Sequence, residues 1–379
     1  MVRVSAAPPP PPVLLDGAGG DTTADVPRDP GDRRSFVLAV SGLGASVLIA
    51  VLSILPAPFA IGGPGPTFDT LSEVEGVPLV EIRGAPTFPA SGELRLTTVS
   101  VARGSSSAFT LGRVLRGWAD EARYVVPEEE VFGTPDEEEV FEEQSAQAWI
   151  TSQESATVAA LEALDRPVPA ELEVAEVIPA SLATGLLEPG DVIVALDGED
   201  VPTFSALADV LAEVTPGDDV TVTYVREGQN ADVTFATLDD GSGGALMGLG
   251  IDPGFELPID VSVQIDSVGG PSAGLMFSLA IMDMLTEADE LADARVAGTG
   301  TIDASGDVGA IGGIAMKMHG AVDAGADYFL APADNCGEVV GNVPDGLDVY
   351  SVETLDDAYD AIISIGSGDT ASLQSCRSP

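Results

Sequence analysis

The chain has 379 residues and carries 62 Asp and Glu against 15 Lys and Arg, which gives a formal charge of −47. Such acidity excludes ordinary nucleic-acid binding, because basic contacts to phosphate dominate that affinity. The only lysine, Lys317, lies in no GxxxxGK[ST] motif, so P-loop ATP chemistry is also excluded. The only histidine is His319, and any histidine-based mechanism has to use it. We interpret the acidity as a solvated surface, typical of a salt-adapted or GC-rich proteome, in preference to an acidic binding face.

Residues 1–34 are predicted to form a disordered cytoplasmic tail, since they contain a five-proline run followed by Gly, Asp and Thr. Residues 35–57 are predicted to form a transmembrane helix, because Phe36–Leu55 is a stretch of 20 uncharged residues, long enough to cross a bilayer. Pro56 and Pro58 would end that helix. An uncleaved anchor is preferred to a signal peptide, whose apolar core and leader would both be shorter.

Basic residues near the apolar stretch set the predicted orientation. Arg28, Arg33 and Arg34 precede it, and no Lys or Arg follows until Arg83. The positive-inside rule therefore places the N-terminus in the cytoplasm and the bulk of the chain outside the cell membrane, held by a single span.

Two cysteines, Cys336 and Cys376, lie on the predicted outer side, where a disulfide is permitted. Closing a loop of 40 residues between them would stabilise the fold by roughly 4 kcal/mol. Two unpaired thiols are the alternative. No metal site is predicted, because the cysteine spacing is unsuitable and histidine is scarce.

Residues 60–168 are predicted to form an extracytoplasmic α+β segment. Strands are expected at Pro78–Ile82 and Glu93–Val101, where β-branched residues alternate with polar ones. The acidic run Pro127–Glu143 is interpreted as a solvated face or a flexible loop, in preference to a calcium site, because it has no DxDxDG pattern. Apolar periodicity predicts a helix over Gln144–Leu164.

Residues 169–240 show a strand, a turn-strand-turn with the sequence LLEPGDVIVALDG, a helix at Phe204–Val214 and a hairpin. This order resembles a PDZ domain of the bacterial type. The resemblance implies binding of an extended peptide as an added strand. The glycine-apolar pattern at Gly248–Ile251 matches a loop for the peptide carboxylate, but it could equally be the first strand of the next domain.

Residues 245–366 carry the richest set of chemical motifs. A strand at Ile259–Ile265 is followed by GGPSAG, at residues 269–274, and then by an apolar helix. The turn delivers Ser272 to a helix N-terminus, where the dipole and free amides favour negative charge and would stabilise an alkoxide or oxyanion. The alternative is that Ser272 simply caps the helix.

Lys317 follows Ser272 by 45 residues and lies in the first turn of a helix predicted from Gly312 to about Ala324. The positive helix end and the apolar neighbours both lower a lysine pKa, as a lysine general base requires. Serine activated by lysine is a variant of the Ser-His-Asp mechanism. His319 is two residues further along, about 200° around the helix, and is predicted to have no direct role.

Together these motifs resemble the proteolytic domain of Lon proteases, which are Ser-Lys dyad peptidases. Four matching pieces occur in the family's order: GGPSAG, VAGTGTI, GAIGGIAMK and AGADYFLAPADN. The resemblance implies Ser272 as nucleophile, Lys317 as general base and Thr299 as the residue that orients the lysine. Where the family usually has Glu this chain has Thr301, and where it often has a second lysine it has Ala315, so substrate preference could differ. Supporting positions around the serine are Gly270, Pro271 and Ala273.

The order of segments resembles a narrower group of membrane-anchored proteins with a PDZ domain, a Lon-like domain and no ATPase module, here followed by a C-terminal tail at residues 367–379. The resemblance implies an α+β fold and a serine endopeptidase that needs neither ATP nor a cofactor. It would cleave unfolded or flexible proteins outside the membrane, with the PDZ domain binding substrate or gating the site. A homo-oligomer is expected because Lon-like domains often form rings. The alternatives are a peptide-binding scaffold with an inactive Lon-like domain, or a protein that processes only itself.

Overall fold

The computed structural model describes residues 30–54, 58–74, 76–103, 111–120, 122–241, 243–265 and 268–376. Most of the predicted tail at residues 1–34, together with Pro56 and the last three residues of the predicted C-terminal tail, lies outside these ranges. The chain divides into two units, residues 1–54 and 55–379.

The described residues contain both helices and strands, which confirms the predicted α+β class. The helices are α1 (Pro30–Ile54), α2 (Leu111–Trp118), α3 (Glu128–Phe132), α4 (Pro135–Ala163), α5 (Phe204–Ala212), α6 (Gly274–Leu285), α7 (Ile314–Asp323), α8 (Cys336–Val339) and α9 (Leu355–Ser367). The strands are β1 (Phe59–Asp69), β2 (Glu73–Val74), β3 (Val77–Pro78), β4 (Val80–Arg83), β5 (Glu93–Ala102), β6 (Tyr124–Pro127), β7 (Ala170–Val177), β8 (Val192–Leu196), β9 (Glu199–Asp200), β10 (Asp219–Arg226), β11 (Gln229–Ala236), β12 (Leu238–Asp239), β13 (Ala245–Leu246), β14 (Leu249–Phe255), β15 (Asp260–Val263), β16 (Arg295–Gly298), β17 (Thr301–Ile302), β18 (Val308–Gly309), β19 (Tyr328–Pro332) and β20 (Asp348–Val352).

The first unit is the apolar helix α1, which contains a 19-residue stretch, Arg33–Val51, long and apolar enough to cross a membrane. The helix begins at Pro30, so the last five residues of the predicted tail are helical rather than disordered. Proline suits this position, because the first helical residue has no intrahelical partner for its N–H.

The second unit contains a six-stranded sheet in the order β20-β19-β16-β5-β1-β6. The three strands β16, β19 and β20 run parallel to β5, while β1 is antiparallel to both β5 and β6. Strands from the predicted segments 60–168 and 245–366 therefore share one sheet. From the sequence, these segments are predicted to be separate domains. The structure joins them, because β16 completes its hydrogen bonding only against β5.

The two faces of this sheet are covered by different helices, because successive side chains of a strand point to opposite faces. Leu94, Leu96 and Leu330 pack in the core that includes residues of α4, α6 and α9. Phe329 and Ala331 lie in the core that includes residues of α7. The helices α6 and α7 thus approach the same strands from different sides of the sheet.

The acidic run at residues 127–143 lies mostly in two helices whose described side chains are largely exposed, so it forms a solvated face, one of the two predicted alternatives, and not a flexible loop. Glu128–Phe132 forms α3, and α4 begins at Pro135, nine residues before the predicted start. Thr134 and Glu137 explain the early start, since the threonine side chain accepts from the Glu137 amide while the glutamate carboxylate accepts from the Thr134 amide. This capping box satisfies two backbone donors that an uncapped helix leaves free.

The PDZ-like domain has a second sheet in the order β11-β10-β8-β7-β14, with α5 in its core. The predicted limits of 169–240 are too short, because β14 pairs antiparallel with β7 along its whole length and extends the domain to Phe255. Gly248–Ile251 therefore leads into an edge strand of this sheet and does not begin the next domain.

The chain end returns along the six-stranded sheet. Cys336, at the start of α8, forms a disulfide with Cys376, with their Cα atoms 4.9 Å apart. The backbone amide of Ser351 in β20 also donates to the carbonyl of Gln374 at 2.7 Å. The part of the predicted C-terminal tail from residue 367 to Cys376 is thus held against the fold.

Asp283 and Glu290 form a buried carboxyl pair at the end of α6. Asp283 is 2% exposed, and neither of its oxygens has a hydrogen-bond partner among the described residues. Glu290 accepts from the hydroxyls of Thr286 and Tyr359 at 2.9 and 2.6 Å. Burial, together with the neighbouring Glu290, raises the pKa of Asp283 to about 8. Asp283 therefore keeps its proton at neutral pH.

We expect Asp283→Asn to remove a pH dependence of stability. In the unfolded chain this carboxyl ionises near its ordinary pKa of 3.8, whereas in the fold it stays protonated up to about pH 8. Unfolding between these values releases a proton, so the free energy of unfolding falls by up to about 1.4 kcal/mol per pH unit as pH rises. Urea unfolding of the chain in detergent micelles, repeated across this interval, measures the slope.

The matched control is Asp345→Asn, which removes an exposed carboxyl and should keep the wild-type slope. A slope in Asp283→Asn equal to that of the wild type would contradict a proton held at Asp283.

Candidate active site

Three chain segments meet at the carboxyl end of β16. Thr299 directly follows the last residue of this strand, and its amide donates to the carbonyl of Leu330 in β19 at 3.3 Å. The turn that carries Ser272 leads into α6, and Lys317 lies in the first turn of α7. The sheet therefore brings together three residues that are 18 to 45 positions apart in sequence.

Ser272, Thr299 and Lys317 form a closed set of hydrogen bonds. The Nζ of Lys317 lies 2.8 Å from Oγ of Ser272 and 2.8 Å from Oγ1 of Thr299. The Thr299 hydroxyl donates to the backbone carbonyl of Ser272 at 2.9 Å, and the amide of Gly300 donates to the same carbonyl at 3.0 Å. The amine of Lys317 is thus positioned between two hydroxyl oxygens.

Ser272 does not cap the helix that follows it. Helix α6 begins at Gly274 and its N-cap is Ala273, whose side chain makes no capping bond. Ala273 is buried, and its carbonyl accepts from the amide of Phe277 at 3.1 Å. The Ser272 hydroxyl contacts Lys317 instead. The alternative that Ser272 simply caps the helix is therefore wrong.

Lys317 is the fourth residue of α7 and is 3% exposed. Burial lowers the pKa of its amine from 10.5 to about 8, because the protonated form loses hydration. His319 is half-buried on the same helix, and no hydrogen bond among the described residues joins it to Ser272 or Lys317.

Helix α4 holds the turn before Ser272. The amide of Gly270 donates to the carbonyl of Ser145 at 3.0 Å, and the hydroxyl of Ser152 donates to the carbonyl of Pro271 at 3.1 Å. Gly270 has a φ of +81°, a conformation that glycine adopts without strain. Ser145 and Ser152 were missed in the sequence analysis, since Ser152 lies 119 residues from its partner and belongs to no local motif.

A cleft of about 800 Å³ opens beside Ser272 and Lys317. Strand β16 pairs with β5 only as far as Leu96, whereas β5 continues to Ala102. The β5 edge from Thr98 to Val101 therefore borders the cleft with no partner strand among the described residues. The apolar side chains of the cleft wall are Pro66, Phe68, Val99, Val101, Phe141 and Val268.

The described residues contain no group of three His, Cys, Asp or Glu side chains placed to hold a metal ion. The chemistry available at this site is that of a hydroxyl beside an amine. A neutral amine can accept the proton of Ser272 directly, because the two atoms already lie within hydrogen-bonding distance.

Comparison with known proteins agrees with this geometry. A family model described as the Lon protease (S16) C-terminal proteolytic domain matches residues 259–364, and a PDZ domain model matches residues 153–237. The chain carries a Lon-type proteolytic domain and a PDZ domain. The Lon-type match begins next to β15 and ends within α9, so β1, β5 and the first half of α4 lie outside both matches.

The curated relatives of the Lon-type domain are Lon proteases. Archaeal Lon protease of Methanothermobacter thermautotrophicus is 32% identical over 122 residues, which is 32% of this chain and 18% of the relative. Lon protease 1 of Sorangium cellulosum is 39% identical over 24% of this chain and 11% of its own length. Lon protease 2 of Bacillus subtilis is 30% identical over 28% of this chain and 20% of its own length. The chain thus matches a fifth or less of the length of each.

Among solved structures, the PDZ domain of an SdrC-like protein from Listeria monocytogenes aligns with 21% of this chain and 86% of its own, at 22% identity and a TM-score of 0.21.

We expect Lys317 to titrate with a pKa of about 8, because its amine is buried. The chain has a single lysine, so protein labelled with ¹³C-lysine gives one side-chain signal, and its chemical shift can be followed against pH by NMR. Ser272→Ala should keep the lowered pKa, since that substitution leaves the amine buried. A midpoint near the ordinary lysine value would contradict the burial seen in the structure.

Proposed function

We propose that this chain is a membrane-anchored serine endopeptidase in which Ser272 is the nucleophile and Lys317 the general base. The contact of 2.8 Å between Oγ of Ser272 and Nζ of Lys317 carries the proposal. The lowered pKa of Lys317 supports it, because a base must be unprotonated to accept a proton. Arginine could not take this position, since a guanidinium stays protonated in proteins.

Thr299 orients the amine in this mechanism. Its hydroxyl proton is used in the bond to the Ser272 carbonyl, so its oxygen offers a lone pair to an N–H of Lys317. With one N–H directed at Thr299, the lone pair of a neutral amine can face the Ser272 hydroxyl. Thr299 is therefore a positioning residue.

The reaction follows the usual course of acyl transfer. Lys317 takes the proton of Ser272 as Oγ bonds to the substrate carbonyl carbon, and the positive end of the α6 dipole stabilises the oxyanion. The protonated Lys317 then gives its proton to the departing amine as the peptide C–N bond breaks. Water, deprotonated by Lys317, attacks the ester, and the carboxylic product leaves with Ser272 restored.

The cleft supports a flexible protein substrate. The free β5 edge at Thr98–Val101 can pair with an extended peptide, which would lie across Ser272 as an added strand. Only an unfolded segment or an exposed tail has its backbone free for such pairing. ATP independence is part of the proposal, because no lysine in this sequence lies in a P-loop motif.

The PDZ domain offers a second place for a peptide strand. β14 is the edge strand of its sheet, and residues of α5 pack in the same core as Leu249 and Ile251. A peptide added along β14 would have its carboxylate near Gly248, directly before the strand begins. We infer that the PDZ domain binds substrate tails or a regulatory tail.

Helix α4 provides a physical connection between the two sites. Glu162, near its end, accepts from the amide of Val168 at 3.1 Å and from the hydroxyl of Ser205 in α5. Ser152 of the same helix holds the Ser272 turn through Pro271. A movement of α5 on peptide binding would therefore reach the nucleophile, which favours gating in addition to simple substrate capture.

The location belongs to the proposal as well. The apolar helix α1 would span the membrane once, with the preceding arginines in the cytoplasm and both domains outside. A homo-oligomer stays a prediction, made from the resemblance to Lon-like domains.

We expect Ser272→Ala and Lys317→Arg each to abolish cleavage of an unfolded protein such as casein. In the active chain kcat/KM should rise with pH and level off above about pH 8, because only neutral Lys317 accepts the proton. Fluorescence of a labelled casein measures the rate. His319→Ala serves as the control and should keep the activity, since no described bond joins it to the site. Full cleavage by either dyad variant would contradict the mechanism.

We expect Ser152→Ala to lower kcat by roughly fivefold with KM nearly unchanged, because a lost hydrogen bond to the turn is worth about 1 kcal/mol. The Ser272 turn would be less well held, while the substrate cleft would be intact. Ser145→Ala is the matched control, since Ser145 holds Gly270 through its backbone carbonyl and should keep that bond. Equal effects of the two variants would contradict a positioning role for the Ser152 hydroxyl.

A further inference from the structure

Arginines are concentrated in one short part of this acidic chain. Four of the fourteen arginines lie between residues 103 and 123, where only two carboxylates occur, although the whole chain has a charge of −47. Three of them, Arg113, Arg116 and Arg123, line a cleft of about 450 Å³ together with Asp120. Asp120 pairs with Arg123 at 2.9 Å. Arg116 has no carboxylate partner within the described part of the chain.

Helix α2, which carries two of these arginines, is apolar on both sides. Its inner side is held by Val114, which is fully buried, and by Gly117, which packs so closely that a Cβ there would lie 2.7 Å from Val125. Its outer side exposes Leu115 and Trp118, with 56% and 58% of their surfaces accessible. Large apolar residues next to arginines on an exposed helix are typical of segments that lie in a membrane interface.

The position of α2 in the fold brings it next to the start of the second unit. The Trp118 ring packs edge-on against the Phe59 ring, with centroids 6.0 Å apart. Phe59 is the first residue of β1 and follows Ile54, the last residue of α1, by five positions. If α1 spans a bilayer, as proposed above, only four residues of chain separate Phe59, the neighbour of Trp118, from the end of the membrane helix.

We propose that the exposed side chains of α2, which are those of Arg113, Leu115, Arg116 and Trp118, dock on an anionic phospholipid surface. The guanidinium groups bind lipid phosphates, and Trp118 and Leu115 enter the interface between headgroups and acyl chains. Trp118 suits this role because tryptophan is enriched at membrane interfaces. The docking fixes the proteolytic and PDZ domains at the surface instead of leaving them free on the α1 tether.

A lipid surface accounts for these features better than a free anion. A free phosphate would use the arginines but leave Leu115 and Trp118 exposed to water. An anionic bilayer offers phosphates to the arginines and an apolar interface to Leu115 and Trp118.

The two tryptophans of the chain allow a direct test. Trp149 lies inside the second unit against Phe277, with ring centroids 5.3 Å apart, so Trp149→Phe leaves Trp118 as the sole tryptophan. The full chain with this substitution is reconstituted in nanodiscs of phosphatidylcholine with brominated acyl chains, with or without phosphatidylglycerol. Trp118→Phe in the wild-type background gives the Trp149 fluorescence alone. If Trp149→Phe does not fold, subtracting this signal from that of the wild type gives the Trp118 fluorescence.

Bromine should quench Trp118 fluorescence in discs that contain phosphatidylglycerol, less in discs of phosphatidylcholine alone, and less as salt is raised. Arg113→Gln with Arg116→Gln should lower the equilibrium constant for docking by roughly an order of magnitude or more. Arg83→Gln with Arg295→Gln removes the same charge from other parts of the second unit and should leave the quenching unchanged.

Several results would overturn the proposal. Unquenched Trp118 in a chain that co-purifies with the discs would show that α2 does not reach the lipid, while a chain that fails to enter discs would contradict the anchor itself. Equal quenching with and without phosphatidylglycerol would contradict recognition of anionic headgroups. Loss of quenching on adding inorganic phosphate would identify a free anion as the ligand. Shielding of Trp118 from iodide in micelles without lipid would identify a second copy.

Discussion

The burial of a single amine is the constraint on which the candidate active site depends. Lys317 is 3% exposed, and that burial lowers its pKa to about 8. An exposed lysine would stay protonated at neutral pH and could not accept a proton from Ser272. The amine therefore has to be enclosed while one side remains open to the serine and the cleft. The six-stranded sheet achieves this, because α6 and α7 cover different faces of it and meet at the end of β16.

That enclosure uses parts of the chain on both sides of the PDZ domain. Strand β5 completes the sheet beside β16, and its free edge borders the cleft. Helix α4 holds the turn before Ser272 and also contacts the PDZ helix α5 through Glu162. The PDZ domain is therefore inserted between two parts of the fold that carries the candidate active site. In the proposed function, a ligand on the PDZ domain would act on a helix that already contacts the Ser272 turn.

Sequence alone could single out Ser272 and Lys317 from the turns and helix starts beside them, and Thr299 through the resemblance to Lon proteases, and the structure brings the three together. It could not predict Ser152, whose partner is 119 residues away, since sequence periodicity carries no information on that pairing. Strand β1 was missed because its glycines and prolines resemble a loop, although its neighbours β5 and β6 supply the pairing that keeps it extended. The charges of the acidic run left a solvated face and a loop as alternatives. The capping box at Thr134 starts a helix there, which decides for the solvated face, and the later turns of that helix are buried.

Two buried groups, Asp283 and Lys317, make the stability of the fold respond to pH in opposite directions, and both titrate in the fold at about pH 8. Asp283 keeps its proton in the fold up to about pH 8, so its contribution makes the protein less stable as pH rises from 3.8 toward 8. Lys317 loses its proton at about pH 8 in the fold but at 10.5 when unfolded, so its contribution makes the protein more stable as pH rises between those values. Their joint contribution to stability is therefore smallest near pH 8, where the amine becomes able to act as a base. The proposed activity thus increases over the interval in which these two groups stabilise the fold least, as expected when a functional group is buried against its preferred charge state.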